Sequence, residues 1–318
     1  MAKFEKHPLL KVLETTFSKS LQQDLELQYY PKVEKYKKWA CFSDYCIDDR
    51  NKPNDVITFS LLPYIDDIKD LSLHVKLIAP KDIKNAKSVS EEYINFLKNY
   101  PLINFSFIIN NRNKFFGRDN TQFIETLSSI YTQTKEQYEI WIKNQPEKAE
   151  YYNSVIKKLN HTLNQIKQGN KIKQIYSALL ITFLGAFVSG LIVKKTQAEI
   201  FGWFSDRDAI NEVSNNISID LFQFFMFGFS EVKKCQFVAA KATSLDKPFY
   251  DELLKIPDYV AGTLADYNLD DTNISKPKFD TVLTNYMAGN KHNNFVFRIE
   301  SRDGLLNCAR MVILKKEE

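Results

Sequence analysis

Apolar residues recur along the chain with two spacings, which predict an alternation of helices and strands. Spacings of three and four residues predict helices at 8–30, 90–100, 174–193 and 209–229, with Pro31 ending the first. The same spacings predict a polar helical pair between about 120 and 168, divided at Pro146. Alternation predicts strands at 38–45, 56–64, 73–80, 104–111, 199–206 and 235–243. A helix with Pro257 at its first position and a terminal hairpin over 293–315 complete the pattern, which is that of an α/β protein.

The domain organisation follows from the position of the polar helical pair. It separates the early strands from the late ones, and no internal repeat or low-complexity linker divides the chain. The 318 residues are enough for a large core. We therefore expect a single α/β domain over residues 1–318, with a helical insertion over 112–195.

One segment, Ile175–Val193, has no charged residue and reaches the lower length limit of a membrane span, with lysines on either side. A single crossing would put Asp44 and Asp206 on opposite sides of a bilayer, which a shared sheet excludes. We therefore expect a helix buried in the protein rather than stable membrane insertion; a membrane anchor is the weaker alternative.

Charge and cysteine content narrow the environment of the protein. The net charge of +4 and pI near 8.6 are mildly basic, which gives weak support for a nucleic-acid partner. The four cysteines form no CxxC motif and have no paired spacing with the four histidines, which argues against zinc. We expect a protein of the reducing cytoplasm and leave a homo-oligomer open.

Three aspartates occupy element boundaries. Asp44 ends the first strand, Asp206 ends the strand at 199–206, and Asp258 begins a late helix. Carboxylates gathered at one sheet edge repel one another and need a cation, and a pair of divalent ions serves phosphodiester chemistry. Each has a simpler explanation: Asp44 as a turn residue, Asp206 paired with Arg207, and Asp258 favoured by the helix dipole.

The sequences Ser43-Asp44-Tyr45 and Leu254–Gly262 resemble the marks of a family of uncharacterised RNase H-like proteins from bacterial genomes and mobile elements. The resemblance implies a mixed sheet whose first and fourth strands are neighbours. It also implies a metal-dependent nuclease, with a mobile-element or phage-defence context. Asp44 would bridge two Mg²⁺ or Mn²⁺ ions, Asp206 and Asp258 would each hold one, and Glu125 or Glu136 would supply a fourth carboxylate.

The chain departs from the family pattern at three positions beside the expected site. Tyr45 replaces a glutamate, Lys255 a glutamine, and Pro257 an alanine. Arg207 and Lys255 are candidates for contacts with a nucleic-acid substrate. The departures equally support the alternative, a catalytically inactive RNase H-like module that acts through interaction or structure.

Overall fold

The computed structural model describes residues 7–206, 209–232, 234–240, 248, 250–302 and 304–314. The chain forms two compact units. The sheet unit comprises residues 1–112, 191–206 and 232–318. The helical unit comprises residues 113–190 and 207–231. It therefore takes in the stretch after Asp206 as well as most of the expected insertion, 112–195.

The described residues form helices and strands in the following order. They are α1 (Pro8–Ser20), α2 (Gln22–Asp24), α3 (Tyr30–Val33), β1 (Lys38–Cys46), β2 (Asp55–Pro63), α4 (Ile68–Ile78), α5 (Glu91–Asn99), β3 (Ile103–Asn110), α6 (Asn120–Asn144), α7 (Ala149–Lys167), α8 (Ile172–Thr196), β4 (Ile200–Ser205), α9 (Val213–Ser230), β5 (Gln236–Ala239), α10 (Lys255–Asp266), α11 (Pro277–Val282), β6 (Asn294–Arg302) and β7 (Leu305–Met311).

The seven strands of the described residues belong to one mixed sheet of order β5-β4-β1-β2-β3-β6-β7. β1 pairs with β2, β2 with β3, and β6 with β7 in antiparallel fashion. β1 pairs with β4, β4 with β5, and β3 with β6 in parallel. The α/β class and the mixed sheet flanked by helices are confirmed. The first and fourth strands are neighbours, as expected.

The two faces of the sheet are covered by different helices. Phe17 of α1 stacks on Phe105 and Phe297, with ring centroids 6.0 and 4.3 Å apart. The opposite face carries Phe42 and Val56, which belong to the same buried cluster as much of α10. Successive side chains of a strand point to opposite faces, so α1 and α10 lie on opposite sides of the sheet.

The predicted strand at 73–80 is wrong, because residues 73–78 lie in α4 and the last two follow it. The Asp67 carboxylate caps this helix by accepting a hydrogen bond from the backbone N–H of Lys69 at 2.7 Å. Leu71 and Val75, one helical turn apart, are buried, whereas Leu73 and Leu77 are exposed. Apolar residues on both sides of the helix produced the misleading strand pattern.

The predicted helix at 8–30 is confirmed as helical apart from an interruption at Leu21. α1 ends at Ser20, and a π-helical turn at Leu25–Tyr29 leads into α3. Pro31 does not end the helical region; it lies in the first turn of α3, where the missing N–H of proline costs no hydrogen bond. Similarly, α10 begins at Lys255, two residues before Pro257.

The apolar segment forms α8, which is long and apolar enough to cross a membrane by length and composition. However, 89% of its most apolar window is buried inside the protein. This agrees with the predicted core helix. The polar pair around Pro146 is also confirmed as α6 and α7.

Candidate carboxylate site

Asp44 and Asp206 come at the same level of two neighbouring parallel strands. The pairing of β1 with β4 ends at Ser43 and Ser205, and each aspartate is the next residue of its chain segment. Two residues earlier, the rings of Phe42 and Phe204 stack with centroids 5.4 Å apart. The two-residue period of a strand therefore directs both aspartates to the face that α10 covers. Asp44 is half-buried and Asp206 is exposed.

Asp258 lies in the first turn of α10 and is held against the loop that follows α4. Its Oδ2 atom accepts a hydrogen bond at 2.8 Å from the backbone N–H of Ile83. Burial raises the pKa of Asp258 to about 6, despite the opposing effects of the Ile83 hydrogen bond and of Lys84. The negative charges of Asp82 and Asp206 act in the same direction as burial. Asp206 is therefore near enough to Asp258 for their charges to interact.

The far end of α10 is fixed to the turn between β1 and β2. Lys52 pairs with the buried Asp266 at 2.6 Å, and the side-chain amide of Asn54 donates to the carbonyls of Leu264 and Tyr267 at 2.9 and 2.7 Å. Burial alone would raise the pKa of Asp266, but the hydrogen bonds from Lys52 and Ser275 outweigh it and lower this pKa. These contacts hold α10 along β1 and thereby set the position of Asp258.

Of the two residues predicted to contact a substrate, the structure describes Lys255 but not Arg207. Lys255 is buried; its Nζ atom donates to the carbonyl of Ala79 at 2.7 Å and forms an ion pair with Glu252. In this arrangement the ammonium group fixes α10 to the loop, and contact with a substrate would require it to leave these partners. Arg207 lies outside the described residues.

The expected fourth carboxylate is not part of the sheet unit. Glu125 and Glu136 lie on α6 of the helical unit, and both are exposed. The sheet unit instead places Asp82, an exposed residue, close enough to Asp258 to raise its pKa. Sequence reasoning missed Asp82 because the wrong strand at 73–80 hid the loop after α4. The signal was the turn-prone and charged sequence that follows Pro80.

The donor set suits a hard divalent cation in its chemistry but is not assembled around one. Carboxylate oxygens are the ligands that Mg²⁺ and Mn²⁺ prefer. Within the described part of the chain, no group of three or more His, Cys, Asp or Glu side chains is arranged to hold a metal ion. Binding of a cation by all three aspartates would therefore require side-chain movement, although the Oδ1 atom of Asp258 could take part while Oδ2 accepts from Ile83.

The chain was compared with protein-family models, with curated proteins and with solved structures, and none of them matches it.

Proposed function

We propose that the protein is a metal-dependent nuclease, or related phosphodiester hydrolase, of RNase H-like type. The observation that carries this proposal is the equivalent position of Asp44 and Asp206 on the neighbouring parallel strands β1 and β4. Two carboxylates from distant parts of the sequence thus come to the same level of the sheet. Asp206 directly follows β4, whereas Asp44, which was expected to end its strand, lies inside β1 and pairs with Thr58. If Asp44 or Asp206 had only a structural role, there would be no reason for the second aspartate to lie at the matching position.

The strand order gives further support. In an RNase H-like sheet the first and fourth strands are neighbours, and a later helix adds a third carboxylate. Here β4 pairs with β1, and α10 carries Asp258, whose pKa is raised by burial and also by Asp206. A carboxylate kept in an environment that opposes its charge is more often found at functional sites than elsewhere.

In this proposal the residues of the chain bind and orient. Asp44, Asp206 and Asp258 would hold one or two divalent cations, with Asp82 as a candidate for the additional carboxylate. Bound Mg²⁺ or Mn²⁺ would supply Lewis-acid chemistry for hydrolysis of a phosphodiester bond. Asp206 is exposed, so its carboxylate is accessible from solvent.

The second candidate function is an inactive module with the same fold. It is favoured by the hydrogen bond from Ile83 to Asp258 and by the burial of Lys255 against Glu252. Both contacts satisfy side chains near the site without a metal. A module of this kind would bind a partner while neither binding Mn²⁺ nor cutting nucleic acid.

The deciding experiment is a Mn²⁺-dependent cleavage assay with single- and double-stranded DNA and RNA. Wild type is compared with Asp44→Asn and Asp206→Asn, and with Asp70→Asn as the control. Asp70 is an exposed carboxylate in the first turn of α4, so its replacement changes the charge equally without touching the strand edge.

We expect cleavage by wild type and Asp70→Asn and a loss of at least about a hundredfold in the two strand-edge variants. Cleavage that survives in both variants would contradict the proposal. The absence of cleavage in wild type, together with the absence of Mn²⁺ binding by calorimetry, would favour the inactive module.

A further inference from the structure

The loop from Ala79 to Ala86 is held in place almost entirely through its backbone. Three side chains from α10 and α11 donate to its carbonyls. Lys255 donates to Ala79 at 2.7 Å, the Tyr259 hydroxyl to Lys81 at 2.7 Å, and Lys278 to Ile83, Lys84 and Ala86 at 2.5, 2.8 and 3.0 Å. We call this segment the clamped loop.

Two further contacts complete the attachment of the clamped loop. The backbone N–H of Ile83 donates to Asp258, and the Ile83 side chain is buried against the surface of α10 at Gly262. Gly262 has no Cβ, and one built there would come within 2.7 Å of the Ile83 Cγ2 atom. The loop thus lies tightly on the first half of α10.

The charged side chains of the clamped loop are left for solvent. Lys81, Asp82 and Lys84 are all exposed, and none forms a hydrogen bond or ion pair with another described side chain. Exposed lysines on a mobile loop would be unremarkable. Lys81 and Lys84, however, belong to a backbone that is held at five carbonyls. The Cα atoms of both lysines therefore have fixed positions relative to Asp258.

The position of Lys84 relative to the candidate site is also defined. Lys84 directly follows Ile83, whose backbone N–H donates to the Asp258 carboxylate at 2.8 Å. Lys84 is therefore within electrostatic reach of the carboxylate site. Lys81 lies three residues earlier, and its carbonyl accepts a hydrogen bond from the Tyr259 hydroxyl.

We propose that Lys81 and Lys84 contact the phosphate backbone of a nucleic-acid strand and hold it beside Asp44, Asp206 and Asp258. This inference rests on the proposed function. Lys81 and Lys84 then take the role of phosphate contact that the sequence had suggested for Lys255, which is buried. Lys255, Tyr259 and Lys278 would contribute by positioning the clamped loop. Lysine ammonium groups suit phosphates as mobile point charges that require no fixed geometry.

Binding can be measured apart from cleavage. Wild type is titrated with short labelled single-stranded DNA and RNA in EDTA, over a range of salt concentrations. It is compared with Lys81→Gln/Lys84→Gln and with Lys11→Gln/Lys19→Gln. The control lysines are exposed and lie on α1, which covers the opposite face of the sheet. Both double variants remove the same charge.

We expect the loop variant to bind about tenfold or more weakly and to lower the salt slope by roughly 0.7 for each lost phosphate contact. The α1 variant should bind as wild type does, and Lys81→Arg/Lys84→Arg should retain binding. Thermal melting checks that the loop variant folds, which we expect because the clamp uses backbone atoms of these residues.

Two results would overturn the inference: unchanged affinity in the loop variant, or no binding by wild type. Neither decides the proposed function, which depends on Mn²⁺-dependent cleavage and on Asp44. Conversely, loss of cleavage in Asp44→Asn with unchanged binding would show that the loop and the carboxylates make separate contributions.

Discussion

The backbone N–H of Ile83 donates a 2.8 Å hydrogen bond to the carboxylate of Asp258. The two residues are 175 positions apart in the chain. This contact partly offsets the burial that raises the pKa of Asp258 to about 6. The folded protein thus keeps a carboxylate at a position where its charge is unfavourable, and the consequences of that charge can be measured.

Asp258→Asn should stabilise the folded protein at neutral pH. The ordinary pKa of the group is 3.8 and the folded value about 6, so the folded state binds the proton more tightly than the unfolded state. Wild type therefore loses stability as pH rises from about 4 to 6, and the Asn variant avoids this loss while its amide oxygen still accepts from Ile83. We expect a gain of about 3 kcal/mol well above pH 6 that disappears below pH 4.

Urea unfolding in EDTA at several pH values measures this difference. Asp70→Asn is the control, because its exposed carboxylate should give no comparable pH dependence. A difference between Asp258→Asn and wild type that stays constant from pH 4 to pH 8 would show that the burial of Asp258 does not oppose its charge.

Asp206→Asn should lower the pKa of Asp258 towards its ordinary value. Asp206 contributes to the raised pKa through the repulsion of the two negative charges, so removing one charge makes ionisation of the other easier. Asp82→Asn should shift the pKa in the same direction. Carboxyl-carbon NMR titration of aspartate-labelled protein follows Asp258 directly. An unchanged pKa of Asp258 in Asp206→Asn would show that Asp206 is too far from Asp258 for their charges to interact.

Much of the carboxylate site could be predicted from the sequence, because local patterns determine its main elements. Alternation marks β1 and β4, and the apolar spacing of α10 marks the helix that carries Asp258. The prediction that β1 and β4 are neighbours was based on the resemblance to RNase H-like proteins, and the observed strand order agrees with this prediction. These patterns involve residues close together in the chain.

The clamped loop could not be predicted in the same way. α4 has apolar residues on its exposed side, so its pattern imitated a strand and displaced the loop that follows it. The contacts of the loop then join side chains such as Lys278 to carbonyl oxygens, which every residue has. No residue type in the loop itself signals such a contact, and nothing in the local sequence connects Asp82 to Asp258.

Lys255→Gln should destabilise the protein. The lysine neutralises Glu252, whose side chain is only 14% exposed, and also satisfies the Ala79 carbonyl. Removing one partner of a largely buried pair leaves the other charge uncompensated, so we expect a loss of about 2–3 kcal/mol in the free energy of unfolding.

The double variant Lys255→Gln/Glu252→Gln should recover part of that loss, because no unpaired charge then remains. Chemical denaturation of the two single variants and the double variant gives the coupling energy. Equal and additive losses in the single variants would show that the pair contributes little.

Gly262→Ala should destabilise the protein although alanine favours helices. The added Cβ would meet the Ile83 Cγ2 atom at 2.7 Å, which forces the clamped loop away from α10. We expect a net loss of about 1–3 kcal/mol from this overpacking, greater than the gain in helix propensity. Thermal unfolding measures the loss, and Ile83→Ala in the Gly262→Ala background should restore part of it. A Gly262→Ala variant as stable as wild type would show that the loop can shift freely.

The clamp also fixes when the site can first exist during synthesis of the chain. Lys278 holds Ile83 from 195 positions further along the sequence, and Asp258 is itself supplied late. A nascent chain that has passed Asp44 and Asp206 therefore has neither its third aspartate nor a fixed loop. The three aspartates can therefore come together only after most of the polypeptide has been synthesised.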